Sequence, residues 1–345
     1  MNPALTAAPA LTVRQAASRI VARIVSELLS YEKAARRGAD TEAVHQMRVQ
    51  TRRLRAALAL FSSVLRPPRQ AGRKRLRWLS RALGRVRDLD VVAALLEDRH
   101  LPHLGGVEAA RLVDLVAALK ERRWRAQKNL TASLARGRYA KLKSALRDFA
   151  RHPRFAGRGD EDAMAGRYLT DVIHRQARRV SAHRGMVERT PDAADLHALR
   201  ITIKRLRYVL DIHAETCGIA FDEERRLARL LQDCLGEIHD HDVLLEWLTE
   251  AEGTEAPTHG GTAQAPVEAR LFAGAWHVLP ERLVADRAKL LRRFLRLRRE
   301  WLARTEPSGS VVPLVLPRFV NLEAESVQLR LGSPLKTVAS LRIVR

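Results

Sequence analysis

Several residue types that mark common protein classes are scarce in this sequence. It has two cysteines, Cys217 and Cys234, in 345 residues, so a disulfide-stapled secreted fold is not expected and both are predicted to be reduced thiols in a cytoplasmic protein. Aromatic residues make up 5% of the chain, which argues against recognition of single strands by base stacking. No apolar run approaches the ~18 residues that suggest a membrane span, and residues 1–11 lack the pattern of a secretion signal.

Acidic residues are also in deficit. Lys and Arg number 62 against 39 Asp and Glu, which gives a net charge of +23. Hydrophobic residues reach 46%, enough for a folded core, so a wholly disordered chain is excluded. Because a folded body with this excess of charge repels itself unless an anion neutralises it, the composition predicts a polyanionic partner: nucleic acid, an anionic membrane surface or a phosphate polymer.

Apolar residues recur at spacings of three and four up to about residue 306, a pattern typical of amphipathic helices. Breaks between these stretches predict eight long helices. The breaks fall at residues 36–40, 66–70, 99–106, 151–166, 188–194, 216–222 and 252–266, and the last is expected to be a mobile loop. Beyond residue 306 the chain has β-branched clusters separated by Pro and Gly, which predicts an irregular or short-stranded tail without an assigned role.

A tandem repeat organises the chain. The motif His-x-x-Arg-x-x-x-Arg/Lys-Arg-Leu-Arg begins at His45 and again at His197, and Leu-Gly-x-x-x-Asp-x-Asp begins at Leu83 and again at Leu235. Both offsets are 152 residues (197 − 45 and 235 − 83). Since chance matches would not keep one register over ~70 residues, the sequence predicts a duplicated all-α unit of about four helices. The predicted repeats span residues 13–152 and 163–304, with the tail at 305–345.

Each repeat carries a row of basic side chains beside the apolar stripe of its second helix. With ~100° per residue, the rows consist of His45, Arg48, Arg52 and Arg55, and of His197, Arg200, Lys204 and Arg207. Like charges at these spacings destabilise a helix, so their recurrence favours a ligand, and guanidinium groups form forked hydrogen bonds to phosphate oxygens. The alternative is a solvated helix face whose arginine stems cover apolar surface.

An acidic residue lies on the apolar line of the following helix in each copy, at Asp90 and Asp242. A carboxylate there is costly unless it is paired. In an antiparallel hairpin these acids are level with His45 and His197, so we expect them to hold the His or the first Arg of the adjacent row. Asp88 and Asp240 of the same motif are assigned the same positioning role. The alternative is a structural ion pair without a ligand.

The run His239-Asp240-His241-Asp242 contains residue types that ligate metals and that occur in metal-dependent phosphohydrolases. The first copy has Arg87 and Leu89 in place of the two histidines, and no further ligands occur at helical spacing. Neither a Walker-type loop, a nucleophile elbow nor a zinc-ligand spacing is found. We therefore expect no catalysis, metal or other cofactor, and keep a metal-dependent phosphohydrolase as a second alternative.

The duplicated motifs resemble the CHAD domain, the "conserved histidine α-helical domain", over about residues 13–304. The resemblance implies two four-helix bundles with pseudo-twofold symmetry that bind inorganic polyphosphate in a basic central cavity, and in some members association with polyphosphate or storage granules. Many members also carry a triphosphate-tunnel domain, whose alternating Glu pattern is not present here, so no triphosphatase activity is implied. The ligand contacts it implies are His45, Arg48, Arg52, Arg53, Arg55, His197, Arg200, Lys204, Arg205 and Arg207, with Arg23, Arg73, Arg77, Arg175, Arg225 and Arg229 on neighbouring helices.

The sequence thus predicts a non-enzymatic, polyphosphate-binding protein without a membrane span. A nucleic-acid-binding helical protein is the first alternative, because the net charge supports it equally well. That alternative predicts exposed aromatic residues or a recognition helix. Trp78 and Trp124 lie in basic surroundings, but they are expected to pack in the core or at its rim.

Overall fold

The computed structural model describes residues 11–157, 161–183, 191–218, 221–252, 272 and 276–305, which are helical apart from short connections. Their α-helices are α1 (Val13–Ser30), α2 (Glu32–Arg37), α3 (Thr41–Leu60), α4 (Arg73–Ala94), α5 (Gly106–Ala135), α6 (Gly137–Arg151), α7 (Ala165–Ser181), α8 (Ala193–Cys217), α9 (Asp222–Glu252) and α10 (Val278–Thr305). A π-helical turn, Leu95–His100, continues α4. In these ranges the only β-structure is two isolated bridges. The predicted all-α class is confirmed.

Two of the predictions fall on other parts of the chain. The tail from residue 306 and the predicted loop beyond Glu252 lie outside the described residues. None of the helices in the ranges given above combines the length and the apolar character needed to cross a membrane.

The two repeats share the signal that starts their second helix. The Asp40 side chain accepts a hydrogen bond from the Glu42 backbone N–H at 2.8 Å and begins α3. Asp192, which lies 152 residues later (192 − 40), accepts from the Asp195 N–H at 2.7 Å and begins α8. An aspartate in this position satisfies a backbone donor that the helix leaves free, so the duplication extends to the helix caps.

The predicted breaks fall at or between the ends of the described α-helices, but two further breaks were not predicted. Tyr31 separates α1 from α2. Arg136 has an extended backbone (ψ 154°) that separates α5 from α6. The sequence around it has no Pro and continues the apolar spacing into α6, so periodicity alone indicated one helix. The first repeat therefore contains α2 and α6 in addition to α1, α3, α4 and α5, whereas the second consists of α7 to α10.

Each repeat has its own hydrophobic core. The first core is formed mainly by α1, α3, α4 and α6, and the predicted stripe residues Val44, Met47 and Leu54 are fully buried in it. The second is formed by α7 to α10 and includes the corresponding residues Leu199 and Leu206. Consecutive helices of each repeat pack against each other, in the order α1, α3, α4, α5 and the order α7, α8, α9, α10.

Apolar packing joins the repeats in two places. Near the end of α3, Leu60 packs against both cores, and the Tyr168 hydroxyl of α7 donates to the Leu60 carbonyl at 2.8 Å. Farther along, a third core combines the ends of α4 and α5 with those of α9 and α10, and Leu96, Leu244 and Leu283 are fully buried there. Because this third core draws residues from both repeats, it fixes their relative position.

Candidate functional site

The cationic rows of the two repeats face each other across the contact between α3 and α8. Arg52 Nε donates a hydrogen bond to the Tyr208 hydroxyl of α8 at 3.2 Å. The charges of Arg48 and Arg52 also act on Arg200 of the other repeat. We call Arg48, Arg52, Arg55, Arg200 and Lys204 the cationic cluster. It draws its members from both repeats, as the sequence predicted for a common site.

Lys204 shows how closely these charges are held. Burial, followed by the charges of Arg52, Arg200 and the rest of the cluster, lowers the pKa of Lys204 to about 7. The pKa values of Arg48, Arg55 and Arg200 are also lowered, in each case chiefly by burial. Arginines keep their charge despite such shifts, so at neutral pH the cluster holds four permanent cations and one lysine that is half-charged.

Two acids of the repeated motif accompany the cluster. Asp88 accepts a hydrogen bond from Arg48 Nη2 at 3.1 Å, although 69% of the Asp88 side chain is exposed. Burial raises the pKa of Asp88, and the charges of Arg48 and Arg52 oppose this. The Asp88 carboxylate is therefore close to many protein atoms and still in contact with solvent, which is the situation of a group in an open depression. Burial, together with Asp88 and Glu237, raises the pKa of Asp240 to about 6, while Arg200 acts against the shift.

The glycine of the Leu-Gly motif makes room for Arg48. A Cβ atom added to Gly84 would lie 2.3 Å from Arg48 Nη1, a distance that atoms cannot share, so the guanidinium lies directly over this turn of α4. At the equivalent Gly236 an added Cβ meets open space. The same sequence motif therefore constrains the arginine in the first repeat alone.

The predicted role of Asp90 and Asp242 is wrong. Asp90 accepts a hydrogen bond from Arg123 Nε of α5 at 2.9 Å, and Asp242 pairs in the same way with Arg287 of α10. Two residues along a helix correspond to a turn of ~200°, so Asp88 is directed to α3 and Asp90 to the opposite neighbour. The acids that lie beside the cationic rows are Asp88 and Asp240, and the buried pairs join α4 to α5 and α9 to α10.

The two histidines that open the rows differ in their surroundings. His45 is half-buried, and burial, followed by the charge of Arg87, lowers its pKa. His197 is exposed, and its ring centroid lies 5.6 Å from that of His239. Since Arg87 and His239 occupy equivalent positions (239 − 152), each opening histidine lies beside a basic or aromatic residue of the next helix.

Other predicted ligand contacts lie apart from the cluster. Arg23 and Arg53 both pair with Glu215 of α8, and Arg53 is also 3.5 Å from Glu27. Arg175 of α7 and Arg205 of α8 are exposed, and Arg205 points ~100° away from Lys204 around its helix. Because Glu215 and Glu27 together neutralise Arg23 and Arg53, these two arginines act as a link between the repeats rather than as members of the cluster.

The remaining basic residues are neutralised to different extents in the two repeats. In the first, Arg55 is 3.5 Å from Ser80 Oγ, and the charges of Arg73 and Arg77 contribute to its lowered pKa. In the second, Arg207 makes the equivalent contact with Gln232 at 2.8 Å but also pairs with Asp211 at 2.6 Å. Acids likewise accompany the other two basic residues of the second repeat: Arg229 lies 3.9 Å from Asp211 and Arg225 lies 2.6 Å from Asp222. The positions of the two acids are held by Ala59 and Gln70 in the first repeat.

The run His239 to Asp242 does not form one metal-binding set. His239 lies beside His197, Asp240 interacts with Arg200, and Asp242 pairs with Arg287. His241 is buried on a further face, where its ring lies 5.9 Å from that of His100. Consecutive helical residues point ~100° apart, so this run cannot supply the clustered ligands of a phosphohydrolase centre.

Comparison with known proteins identifies the family to which this chain belongs. The model of the CHAD domain matches residues 19–249, which include both copies of the two motifs. The chain belongs to the CHAD family. The fold is similar to the crystal structure of the CHAD domain from the plant Ricinus communis, with a TM-score of 0.63 and 23% identity over 85% of this chain and 93% of that one. It is also similar to PptA from Streptomyces chartreusis, with a TM-score of 0.59 and 15% identity over 86% and 99%. No curated protein matches the sequence.

Two residues of this CHAD site were not predicted. The Tyr208 hydroxyl accepts the hydrogen bond of Arg52. Its counterpart in the first repeat is Ala56, so a comparison of the residues shared by both copies does not identify it. Arg87 acts on His45, Arg48 and Asp88. The sequence aligned Arg87 with His239, but it was assigned no role because the two residue types differ. The clue available in the sequence was the position of Arg87 one residue before Asp88.

The two acids of the first repeat are expected to differ in their effect on stability. Asp90→Ala removes the partner of Arg123, whose side chain is 18% exposed, and should lower the free energy of unfolding by about 3 kcal/mol. Asp88→Ala, at an exposed carboxylate, should change it by less than about 1 kcal/mol. Urea denaturation measures both, and equal effects would contradict the assignment of Asp90 to α5.

The two motif glycines provide a second matched pair. Gly236→Ala has room for its methyl group and should stabilise the protein by ~0.5–1 kcal/mol, because alanine favours a helix interior over glycine. Gly84→Ala must displace the Arg48 guanidinium from its place beside Asp88 and should give no such gain. Thermal unfolding followed by circular dichroism checks this, and an equal gain in both variants would argue against the position of Arg48.

Proposed function

We propose that this CHAD protein binds inorganic polyphosphate along the cationic cluster and does not catalyse its turnover. The observation that supports this most is Lys204, whose pKa is lowered to about 7 by burial and by four neighbouring arginines. A protein keeps so many like charges together at a cost in stability, and a polyanion removes that cost on binding. We place the protein in the cytoplasm, in association with polyphosphate or storage granules.

The arrangement suits a linear anion better than a single phosphate. The basic row on α3 runs from His45 to Arg55, a rise of ~15 Å along the helix, and the other repeat adds Arg200 and Lys204 to the same cluster. Arginines dominate, and their forked donors match the oxygens of phosphate. A chain of linked phosphates offers such oxygens at every unit.

Nucleic acid is less well suited because Tyr208, the aromatic residue that contacts the cluster, is not free for stacking. Tyr208 is 6% exposed, and its ring lies 4.7 Å from the Arg207 guanidinium. Trp78 packs at the rim of the first core, as predicted. Trp124 is 51% exposed, so the prediction that it packs in the core or at its rim is wrong, and Lys128 Nζ lies 3.4 Å above its ring. Stacked bases need open aromatic faces, whereas polyphosphate has no bases.

Affinity for long-chain polyphosphate should depend on the cluster and not on net charge. The variant with Arg48, Arg52, Arg200 and Lys204 changed to Ala should bind at least ~100-fold more weakly, since each charged contact contributes ~1.5–3 kcal/mol. Titration by calorimetry at physiological salt measures this. A control with the same loss of charge changes Lys120, Arg125, Lys141 and Arg154 to Ala, all of which are exposed, and should bind within about fivefold of wild type.

The outcomes of this titration separate the candidate functions. Wild-type affinity in the cluster variant would reject the site, and a preference for duplex DNA or RNA in competition would reject the ligand class. Both nucleic acid and polyphosphate should bind more weakly as salt rises, because counterion release drives binding to polyanions, so salt dependence alone does not distinguish them. Release of phosphate in the presence of Mg²⁺ or Zn²⁺ would contradict a non-catalytic role.

Binding should also take up a proton at alkaline pH. In the free protein Lys204 has a pKa of about 7, and a bound polyanion raises that value. Below pH 7 the lysine is charged in both states, whereas above pH 7 it is charged in the complex alone, so affinity falls as pH rises. The four arginines that face it stay charged, and His45, whose pKa is lowered, and Asp240, with a pKa of about 6, titrate at lower pH.

Between pH 7.5 and 9 the affinity should therefore fall by up to tenfold per pH unit. Lys204→Arg keeps its charge over this range and should abolish most of the slope while retaining affinity at pH 9. Lys204→Met should bind weakly at every pH, with little slope. A wild-type affinity that is constant over this range would show that Lys204 does not contact the ligand.

A further inference from the structure

We infer that His100, His241 and Asp286 bind one divalent first-row transition cation, for which Zn²⁺ is the natural probe. One nitrogen of each histidine and one carboxylate oxygen of Asp286 all lie within 4.8 Å of one another. Two imidazoles and one carboxylate, with a position left for water, form a common ligand set for zinc. This inference is independent of polyphosphate binding, because none of the three residues belongs to the cationic cluster.

Both histidines are buried and have nitrogen atoms that no group in the described residues satisfies. His100 and His241 are fully buried, and neither ring nitrogen of His100 has a hydrogen-bond partner there, nor has Nε2 of His241. Leaving a buried polar atom unpaired costs ~1–3 kcal/mol, so three such atoms in one place need an explanation. A cation between them accounts for one nitrogen of each ring.

Hydrogen bonding at His241 and the low pKa of His100 both fit metal binding. His241 Nδ1 lies 2.8 Å from the Glu237 carbonyl oxygen, which can only accept, so Nδ1 donates this hydrogen bond and Nε2 is the ring nitrogen left for a metal. Such a backbone contact orients a metal-binding imidazole. Burial, with the nearby charge of His241, lowers the pKa of His100 to about 4, and its ring is therefore neutral near pH 7.

Three segments from both repeats supply the ligands. His100 ends the π-helical turn after α4, whereas His241 lies on α9 and Asp286 on α10. Each ligand is three or four residues from a fully buried leucine of the third core, respectively Leu96, Leu244 and Leu283. The cation would therefore join the two repeats where the third core already joins them.

Binding a cation here requires a small movement of the three ligand groups and competes with one ion pair. A tetrahedral ion with bonds of ~2.1 Å separates its ligand atoms by ~3.4 Å, so the three groups would approach by about 1 Å. Asp286 Oδ1 accepts from Lys289 Nζ at 2.9 Å, which leaves the other carboxylate oxygen for the metal. Because 68% of the Lys289 side chain is exposed, the lysine can move into solvent at little cost.

The full-length protein, stripped of metal by a chelator and free of polyphosphate, should bind one equivalent of Zn²⁺ in competition with a chromophoric chelator. His100→Gln and Asp286→Asn should each weaken this binding ~100-fold or more. His103→Gln is the matched control, because His103 is exposed and lies three residues after His100, and it should bind as wild type does. Co²⁺ in the same site should give visible absorption bands that Asp286→Asn abolishes.

Asp286→Asn keeps the shape of a partly exposed side chain, so it tests the site even if the buried His100→Gln variant does not fold. Circular dichroism without metal should show the wild-type thermal midpoint for Asp286→Asn. A wild-type protein that binds no stoichiometric Zn²⁺ would overturn the inference. Equal affinity in wild type and Asp286→Asn would overturn it as well, since the metal would then be bound elsewhere.

Discussion

The main electrostatic constraint on this fold is repulsion between basic side chains. Two packed helices, α3 and α8, hold these side chains together. Two unit charges 4 Å apart near a protein surface interact by ~4 kcal/mol, and the contact between α3 and α8 brings five basic side chains into one cluster. Hydrophobic cores on either side hold the helices that carry them. The fold thus offsets the destabilising repulsion within the cluster, and an anion bound as proposed would add to the stability of the protein.

The acidic residues of the repeated motif have two different roles. Asp88 and Asp240 lie beside the basic rows and temper the repulsion without removing it. Asp90 and Asp242 point the other way and fix the fourth long helix of each repeat through Arg123 and Arg287. One short motif therefore serves both the site and the packing of the bundle, because residues two apart on a helix face opposite neighbours.

The sequence predicted which residues share a face of a helix better than it predicted which neighbouring helix each face contacts. Spacing identified the buried stripe around Leu54 and the row around Arg52, since both depend on the angle between residues of one helix. It assigned Asp90 to the wrong neighbour, because an apolar line between two helices does not say which of them supplies the partner. The break at Arg136 was missed for a related reason, as apolar spacing continues across it.

Comparison of the two copies identified the shared residues and hid the unshared ones. Asp40 and Asp192 lie in register and could have been found as helix caps. Tyr208 has alanine as its counterpart, and His100 and His241 have no histidine at the equivalent positions. Features that the two copies do not share become visible when the structure brings distant segments together, as it does for His100, His241 and Asp286.

Because the basic residues of the two repeats are neutralised to different extents, the electrostatic potential differs between the two ends of the cluster. Asp211 and Asp222 weaken the positive potential on the side of the second repeat, whereas Ala59 and Gln70 leave Arg55, Arg73 and Arg77 at full strength. A polymer of identical units has no intrinsic polarity along its middle. If polyphosphate binds as proposed, any difference in how tightly its two ends are held would come from the unequal electrostatic potential of the two repeats.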